Sequence, residues 1–278
     1  ACSVRLVNPR RLGKADFLRE GTCTEEMYDF LMKCFVNGVS ECFAGETGAG
    51  KTTVMADIMR NYPDHKRLIT IENEVREFNL VRCDENGKPQ NNVIHMVTRA
   101  SDDESRVIDE HDLLVASLTM NPDAICVAEM KNAEAWEAQE AARTGHAVLT
   151  TTHASSVKGI YTRLATLCLQ AHSNIPYDIV YRLVCEAFPI AVYQHKMEDG
   201  VRRITDIAEC VVDEKNGISI NTLWRYEKET VQLSDGGKPK VVGSFKKCAE
   251  LSPTLQERLY ANGMAKEDLM RFVGGVGK

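Results

Sequence analysis

Apolar residues Met27, Phe30, Leu31, Cys34 and Phe35 recur at i, i+3, i+4, i+7 and i+8, one face of a helix that starts near Thr24. Thr22 and Glu25 stand at capping-box spacing before it. Further along, short apolar runs alternate with amphipathic stretches. "SECFA", "RLITI", "NVIHMV", "DAICVA" and "HAVLTTTH" read as strands. "TTVMADIMRNYP" reads as a helix stopped by Pro63, its Val54, Met55, Ile58 and Met59 on one stripe. "DEHDLLVASLTM" is a helix ended by Asn121-Pro122, and "NAEAWEAQEAARTG" one with Asn132 as N-cap and Gly145 as stop. This alternation predicts an α/β fold with a largely parallel sheet flanked by helices. After about Phe188 the pattern changes. "PIAVYQHKM", "VRRITDIAECVV" and "ISINTLWRYE" are strand-like, separated by the hairpin signals Asp199-Gly200 and Asn216-Gly217. An antiparallel meander is therefore expected, then two short helices, one opening at Ser252-Pro253 and stopping at Asn262-Gly263. Before Thr22 there is no helical periodicity, although "CSVRLV" has strand character.

Composition narrows the classes. In 278 residues, 44% hydrophobic content is enough for a real core, and a net charge of −6 argues against a surface that coats nucleic acid or membrane with positive charge. No apolar run approaches the ~20 residues of a membrane span. There is no signal-peptide pattern, and the start at Ala1 is compatible with removal of an upstream segment. Of ten cysteines, none forms a C-x-x-C pair, and Cys34, Cys126 and Cys185 lie in apolar patterns. Reduced thiols in a cytosolic protein fit this better than disulfides or zinc.

Chemistry concentrates in "GETGAGKT". Gly45, Gly50, Lys51 and Thr52 match G-x-x-x-x-G-K-[ST], a loop whose N–H groups cradle phosphates while its lysine reaches the β- and γ-phosphates and its hydroxyl serves Mg²⁺. Glu46, Thr47, Gly48, Ala49 and Thr53 complete the expected nucleotide-binding stretch. Strand, loop and helix follow in the order that motif requires. Ligands of open α/β sheets sit beyond the carboxyl ends of the strands. Glu72, Glu129 and His153 stand there, with Glu74 and Glu77 close behind the first. A carboxylate in that position can ligate Mg²⁺ or orient the attacking water, or it can simply end a strand in solvent. Glu129 is the strongest candidate because a central-strand pattern precedes it, and Glu74 is expected to face solvent.

Together, "FAGETGAGKTT", "LITIENEVREF", "NPDAICVAEMKNAEAWEAQEAARTGH" and "LTTTHASS" resemble the four ordered blocks of the type II/type IV secretion ATPases: phosphate loop, Asp box, atypical second nucleotide motif and His box. "TGH…TTTHA" is most similar to the CpaF-like branch, which serves Tad/Flp pilus assembly, and to its conjugation relatives. The resemblance covers nearly the whole chain. It implies a RecA-like P-loop ATPase domain working as a hexamer on ATP and Mg²⁺. Such a motor is cytoplasmic and peripheral to the membrane, against an inner-membrane platform protein, with no direct nucleic-acid binding. By position, Lys51 and Thr52 would hold phosphate and Mg²⁺, with Glu129 a second metal-side residue. Glu72 and Glu77 would be the acidic-box carboxylates, Glu129 the second-motif glutamate and His153 the His-box histidine. Arg99 and Arg163 match arginines common in relatives, and at least one of them is expected to face nucleotide of the same or the adjacent subunit. On this reading residues 1–22 are the remnant of a junction to an absent N-terminal domain, 23–188 the RecA-like core, and 189–278 a meander and helical tail packed on it.

The chain departs from the family pattern in places. Asn121 and Thr119 stand where relatives often have arginine, Lys131 replaces arginine in "AEMK", and Asn73 stands where aspartate is usual. Lysine lacks the bidentate fork of arginine. Four functions therefore compete: a motor ATPase of secretion or pilus assembly, a nucleic-acid-directed RecA-like motor, a small-molecule kinase, and an assembly module that binds ATP with little hydrolysis. The acidic balance disfavours the second, and no lid or acceptor pocket is evident for the third.

Overall fold

Alternating apolar strands split their side chains between two faces, and each face collects its own layer of helices. The computed structural model describes residues 11–213, 215, 217–233 and 237–274. The chain runs α1 (Lys14–Glu20), α2 (Glu25–Val36), β1 (Glu41–Ala44), α3 (Lys51–Arg60), β2 (Leu68–Glu72), β3 (Val93–Val97), α4 (Glu110–Leu118), β4 (Ala124–Val127), α5 (Ala135–Arg143), β5 (Ala147–Thr152), α6 (Val157–Ala171), α7 (Tyr177–Ala187), β6 (Ile190–Lys196), β7 (Arg202–Asp213), β8 (Gly217–Leu233), β9 (Pro239–Lys247), α8 (Pro253–Ala261) and α9 (Lys266–Phe272). The strands form one sheet in the order β3-β2-β4-β5-β1-β6-β7-β8-β9. From β3 to β6 all pairings are parallel, and from β6 to β9 all are antiparallel.

The two-residue period of a strand divides the core. Phe43, Cys126 and Leu149 pack with α2, α3, α8 and α9 on one face. Their neighbours Cys42, Ala44, Ile125, Val127 and Val148 pack with α4 to α7 on the other. The meander continues the parallel sheet, because β6 lies beside β1 with Glu41 opposite Ile190 and Ala44 opposite Tyr193. Every parallel strand ends on the same edge of the sheet, so the loops after β1, β2, β4 and β5 converge there.

Several local expectations need correction. The cap of α2 is Thr24, whose hydroxyl accepts from the Met27 N–H at 3.2 Å, in place of Thr22. Asn132 does not cap α5. The carboxylate of Glu134 accepts from the N–H groups of Lys131 (2.7 Å) and Asn132 (3.0 Å), folding the turn ahead of the helix back on itself. A helix, α1, occupies part of the stretch without helical periodicity, because seven residues with Phe17 alone buried leave too short a stripe to read. A strand, β9, extends the meander beyond the three read from the sequence. Ser252 caps α8 as expected, accepting from the Leu255 N–H at 3.1 Å. "CSVRLV" and Asn216 lie outside the described residues.

Candidate active site

The phosphate loop follows β1, a strand buried along its whole length, so its position is fixed by the centre of the sheet. Gly45 leaves the strand with φ 151°, and a Cβ there would stand 2.0 Å from the Gln194 carbonyl oxygen, a contact that only glycine avoids. Gly50 has φ 94° and ends the loop at the first turn of α3. The N–H groups of Thr47, Gly48, Gly50, Lys51 and Thr52 have no partner among the described residues. Unpaired N–H groups at a helix start attract an anion. Lys51 is buried, and its Nζ donates to the carbonyls of Gly45 (2.8 Å) and Glu46 (3.1 Å). Burial lowers its pKa from the ordinary lysine value, while the charge of Glu129 pulls the other way.

A cavity of about 380 Å³ lies between this loop and the ends of β2, β4 and β5, and Lys51, Thr52, Glu77, Glu129, Lys131 and His153 all reach it. Glu129 is its central carboxylate. One oxygen lies 3.1 Å from His153 Nε2 and the other 3.2 Å from Lys131 Nζ. His153 Nδ1 in turn lies 3.2 Å from the Gly45 carbonyl oxygen. The sequence candidates Lys51, Thr52, Glu77, Glu129 and His153 are thus brought together.

Three others are placed elsewhere. Glu72 follows Ile71, and the strand period turns it to the opposite face of the sheet. It is fully buried there. It accepts hydrogen bonds from Thr70 Oγ1 (2.9 Å) and from the N–H groups of Phe78 (2.7 Å) and Glu77, and it meets His95 Nδ1 at 3.2 Å. Burial alone would raise its pKa, but those hydrogen bonds, His95 first, outweigh it and hold the carboxyl below its usual value. Glu72 thereby shapes the 73–78 loop that carries Glu77 and does not itself line the cavity. Arg99 is exposed and donates from Nε (2.9 Å) and Nη2 (2.7 Å) to the Arg106 carbonyl. Arg163 is exposed on α6 beside a separate surface groove with Lys158.

Some residues of the site were not assigned to it by the sequence. Glu74, read as solvent-facing, is exposed but also lines the cavity, as do Asn73 and Glu110, whose side chains are joined at 2.6 Å. Lys131 stood out only as a departure from the family pattern. Gln194, His195 and Arg202 come from the meander to touch the phosphate loop: the Gln194 carbonyl against Gly45, His195 Nδ1 at 3.3 Å from Glu46, and Arg202 Nε at 2.7 Å from the Gly48 carbonyl. Nothing in their spacing announces this, since the contacts span about 150 residues.

The family model described as "Type II/IV secretion system protein" matches residues 2–241. The chain belongs to that family. Among its relatives is the type IV secretion system protein PtlH of Bordetella pertussis, 32% identical over 186 residues, which are 64% of this chain and 52% of PtlH. The type IV secretion system protein VirB11 of Brucella suis is 34% identical over 166 residues, 58% of this chain and 44% of the relative. The chain spans about half the length of the curated relatives it matches. In three dimensions it is similar to the VirB11 ATPase of the Brucella suis type IV secretion system, solved in complex with sulphate. The TM-score is 0.55 and the identity 30%, over 68% of this chain and 53% of that one. The Legionella pneumophila ATPase DotB shares the fold, with a TM-score of 0.50 at 18% identity over 87% of this chain and 53% of that one. The core is the RecA-like P-loop fold of this secretion family.

Proposed function

We propose that the chain is the ATP-hydrolysing part of a type II/type IV secretion or pilus-assembly motor. The observation that carries this reading is the meeting of Lys51, Thr52, Glu129 and His153 in one cavity at the end of the phosphate loop. The free N–H groups of the loop and Lys51 hold the β- and γ-phosphates. Thr52 and Glu129 offer oxygen donors, the kind Mg²⁺ prefers. When bound, the metal neutralises charge that develops on the phosphates. Glu129 orients the attacking water and accepts its proton, and Lys131 and His153 hold that carboxylate in place. On the far side of the loop, a cavity of about 720 Å³ bounded by Leu12, Phe17, Thr22, Gly50, Thr53 and Arg202 takes the nucleoside.

No arginine among the described residues lines the cavity that holds Glu129. A neighbouring subunit in a hexamer supplies the missing cation, with Arg99 and Arg163 as the candidates. An arginine given in trans is worth ~10³-fold or more in phosphoryl transfer. The motor works peripherally at the cytoplasmic face of the membrane against a platform protein, in the CpaF-like manner. Residues 23–188 act as the ATPase core and 189–278 as the meander and helical tail packed on it. The same lack of a local arginine favours a second reading, an ATP-binding assembly module with slow turnover. ATPase activity measured over a dilution series, beside sedimentation of the same samples, separates the two. A motor gains specific activity as it assembles, an assembly module stays slow when assembled, and a fully active monomer refutes the shared site.

A further inference from the structure

Arg202 opens β7 and reaches back over the phosphate loop. Its Nε donates to the Gly48 carbonyl at 2.7 Å. Its stem covers Gly50, where an added Cβ would meet Arg202 Cδ at 3.0 Å. The next residue, Arg203, points to the opposite side of the strand and braces the turn from which Arg202 projects. Its two Nη atoms donate to the Asp199 carboxylate at 2.9 and 2.8 Å, and both side chains are nearly buried. Asp199 also accepts from the N–H groups of Val201 (3.0 Å) and Val241 (3.3 Å), and the Arg203 guanidinium lies 5.0 Å from the Tyr226 ring centre. The turn is thus tied to β8 and β9, and Arg202 hangs from a fixed post.

Among the described residues, only the Nε of Arg202 is engaged. Its Nη groups, which carry most of the donors of a guanidinium, have no protein partner among the described residues. Arg202 lines the larger cavity, on the side of the loop where Gly50 and Thr53 face and away from Glu129. A triphosphate laid along the loop puts its β and γ groups at Lys51, and with the nucleoside in the larger cavity, as proposed above, its α group falls between the two, on the side lined by Gly50, Thr53 and Arg202.

We propose that Arg202 is a nucleotide-binding residue supplied by the antiparallel half of the sheet, its Nε anchoring the loop at Gly48 and its Nη groups taking the α-phosphate. This rests on the nucleotide reading above. The α-phosphate is common to ATP and ADP, so Arg202 serves both, and the loop keeps a cation on its substrate after the γ-phosphate has gone.

Calorimetric titration of the whole chain with ADP and with ATP tests the proposal. Arg202→Ala is expected to weaken both by a similar factor, about tenfold to a hundredfold, the scale of one lost charge-assisted hydrogen bond. Arg202→Lys keeps the charge and recovers part of the affinity. Arg202→Gln keeps a neutral donor for Gly48 without the charge, and is expected to bind as poorly as the alanine variant. Wild-type affinity in Arg202→Gln would reduce the residue to a brace for the loop and overturn the proposal, as would ADP affinity unchanged in folded Arg202→Ala. Should the alanine variant not fold, the lysine and glutamine variants carry the same decision. A wild-type chain that binds neither nucleotide refutes the nucleotide reading itself, whereas nucleotide binding indifferent to position 202 refutes this inference alone.

Discussion

His153 joins the phosphate loop to the carboxylate beyond β4: its Nε2 lies 3.1 Å from Glu129 Oε1 and its Nδ1 3.2 Å from the Gly45 carbonyl oxygen. Both partners are oxygens that can accept from a ring N–H, so the imidazole sits as a bridge between them. The histidine thereby ties Glu129 to the start of the phosphate loop. His153→Ala is expected to lower turnover by about 10-fold to 100-fold, the loss typical when a group that orients a catalytic ligand is removed. Because the two act as a unit, adding the change to Glu129→Gln should cost little more than Glu129→Gln alone. Multiplicative losses in steady-state assays of the double variant would show that they act separately.

Glu72 is a structural acceptor at the foot of the 73–78 loop. Its folded pKa is depressed below the usual 4.5, so its contribution is present above that value and is lost as pH falls through the folded value. Glu72→Gln should cost about 1–3 kcal/mol near neutral pH, as backbone N–H groups lose a charged acceptor. The gap should close as the solution is acidified below the carboxylate range. Equal stability of the two proteins in urea titrations at neutral pH would contradict this account.

Glu41 presents the opposite case. It lies in the middle of the core, and neither carboxylate oxygen has a hydrogen-bond partner among the described residues. Burial raises its pKa well above the usual 4.5, so folding takes up a proton. The stability it allows is full below the unfolded value and falls as pH rises towards the folded one, by about 1.4 kcal/mol per pH unit for one proton. Glu41→Gln carries no such proton. Its stability relative to the wild type should therefore improve as pH rises above the usual carboxylate value of 4.5, and parallel curves of thermal stability through that rise would reject the buried neutral acid.

How legible these features were depended on whether they are local. The strand, loop and helix around Lys51 could be read directly, because glycine spacing and an apolar stripe report local geometry. Convergence of Glu129 and His153 followed from strand ends alone, since parallel strands share one edge. Glu72 was misplaced for want of one count: Ile71 reaches the cavity, so its neighbour cannot. The strand order could not be read, nor could the grip of Gln194 and Arg202 on the loop, because both depend on which strand settles beside β1. Strand β9 was hidden because Val241 is its one fully buried residue, which leaves no alternation to see.

In the proposed hydrolysis the decisive group is Glu129. Steady-state hydrolysis of Mg-ATP by folded Glu129→Gln, with ATP affinity measured on the same sample and Lys51→Ala beside it, separates chemistry from binding. The arrangement predicts near-normal ATP affinity with turnover lowered by about 10²-fold or more in Glu129→Gln, and weakened ATP binding with no hydrolysis in Lys51→Ala. Collapse of ATP affinity in Glu129→Gln with normal turnover at saturation would contradict it.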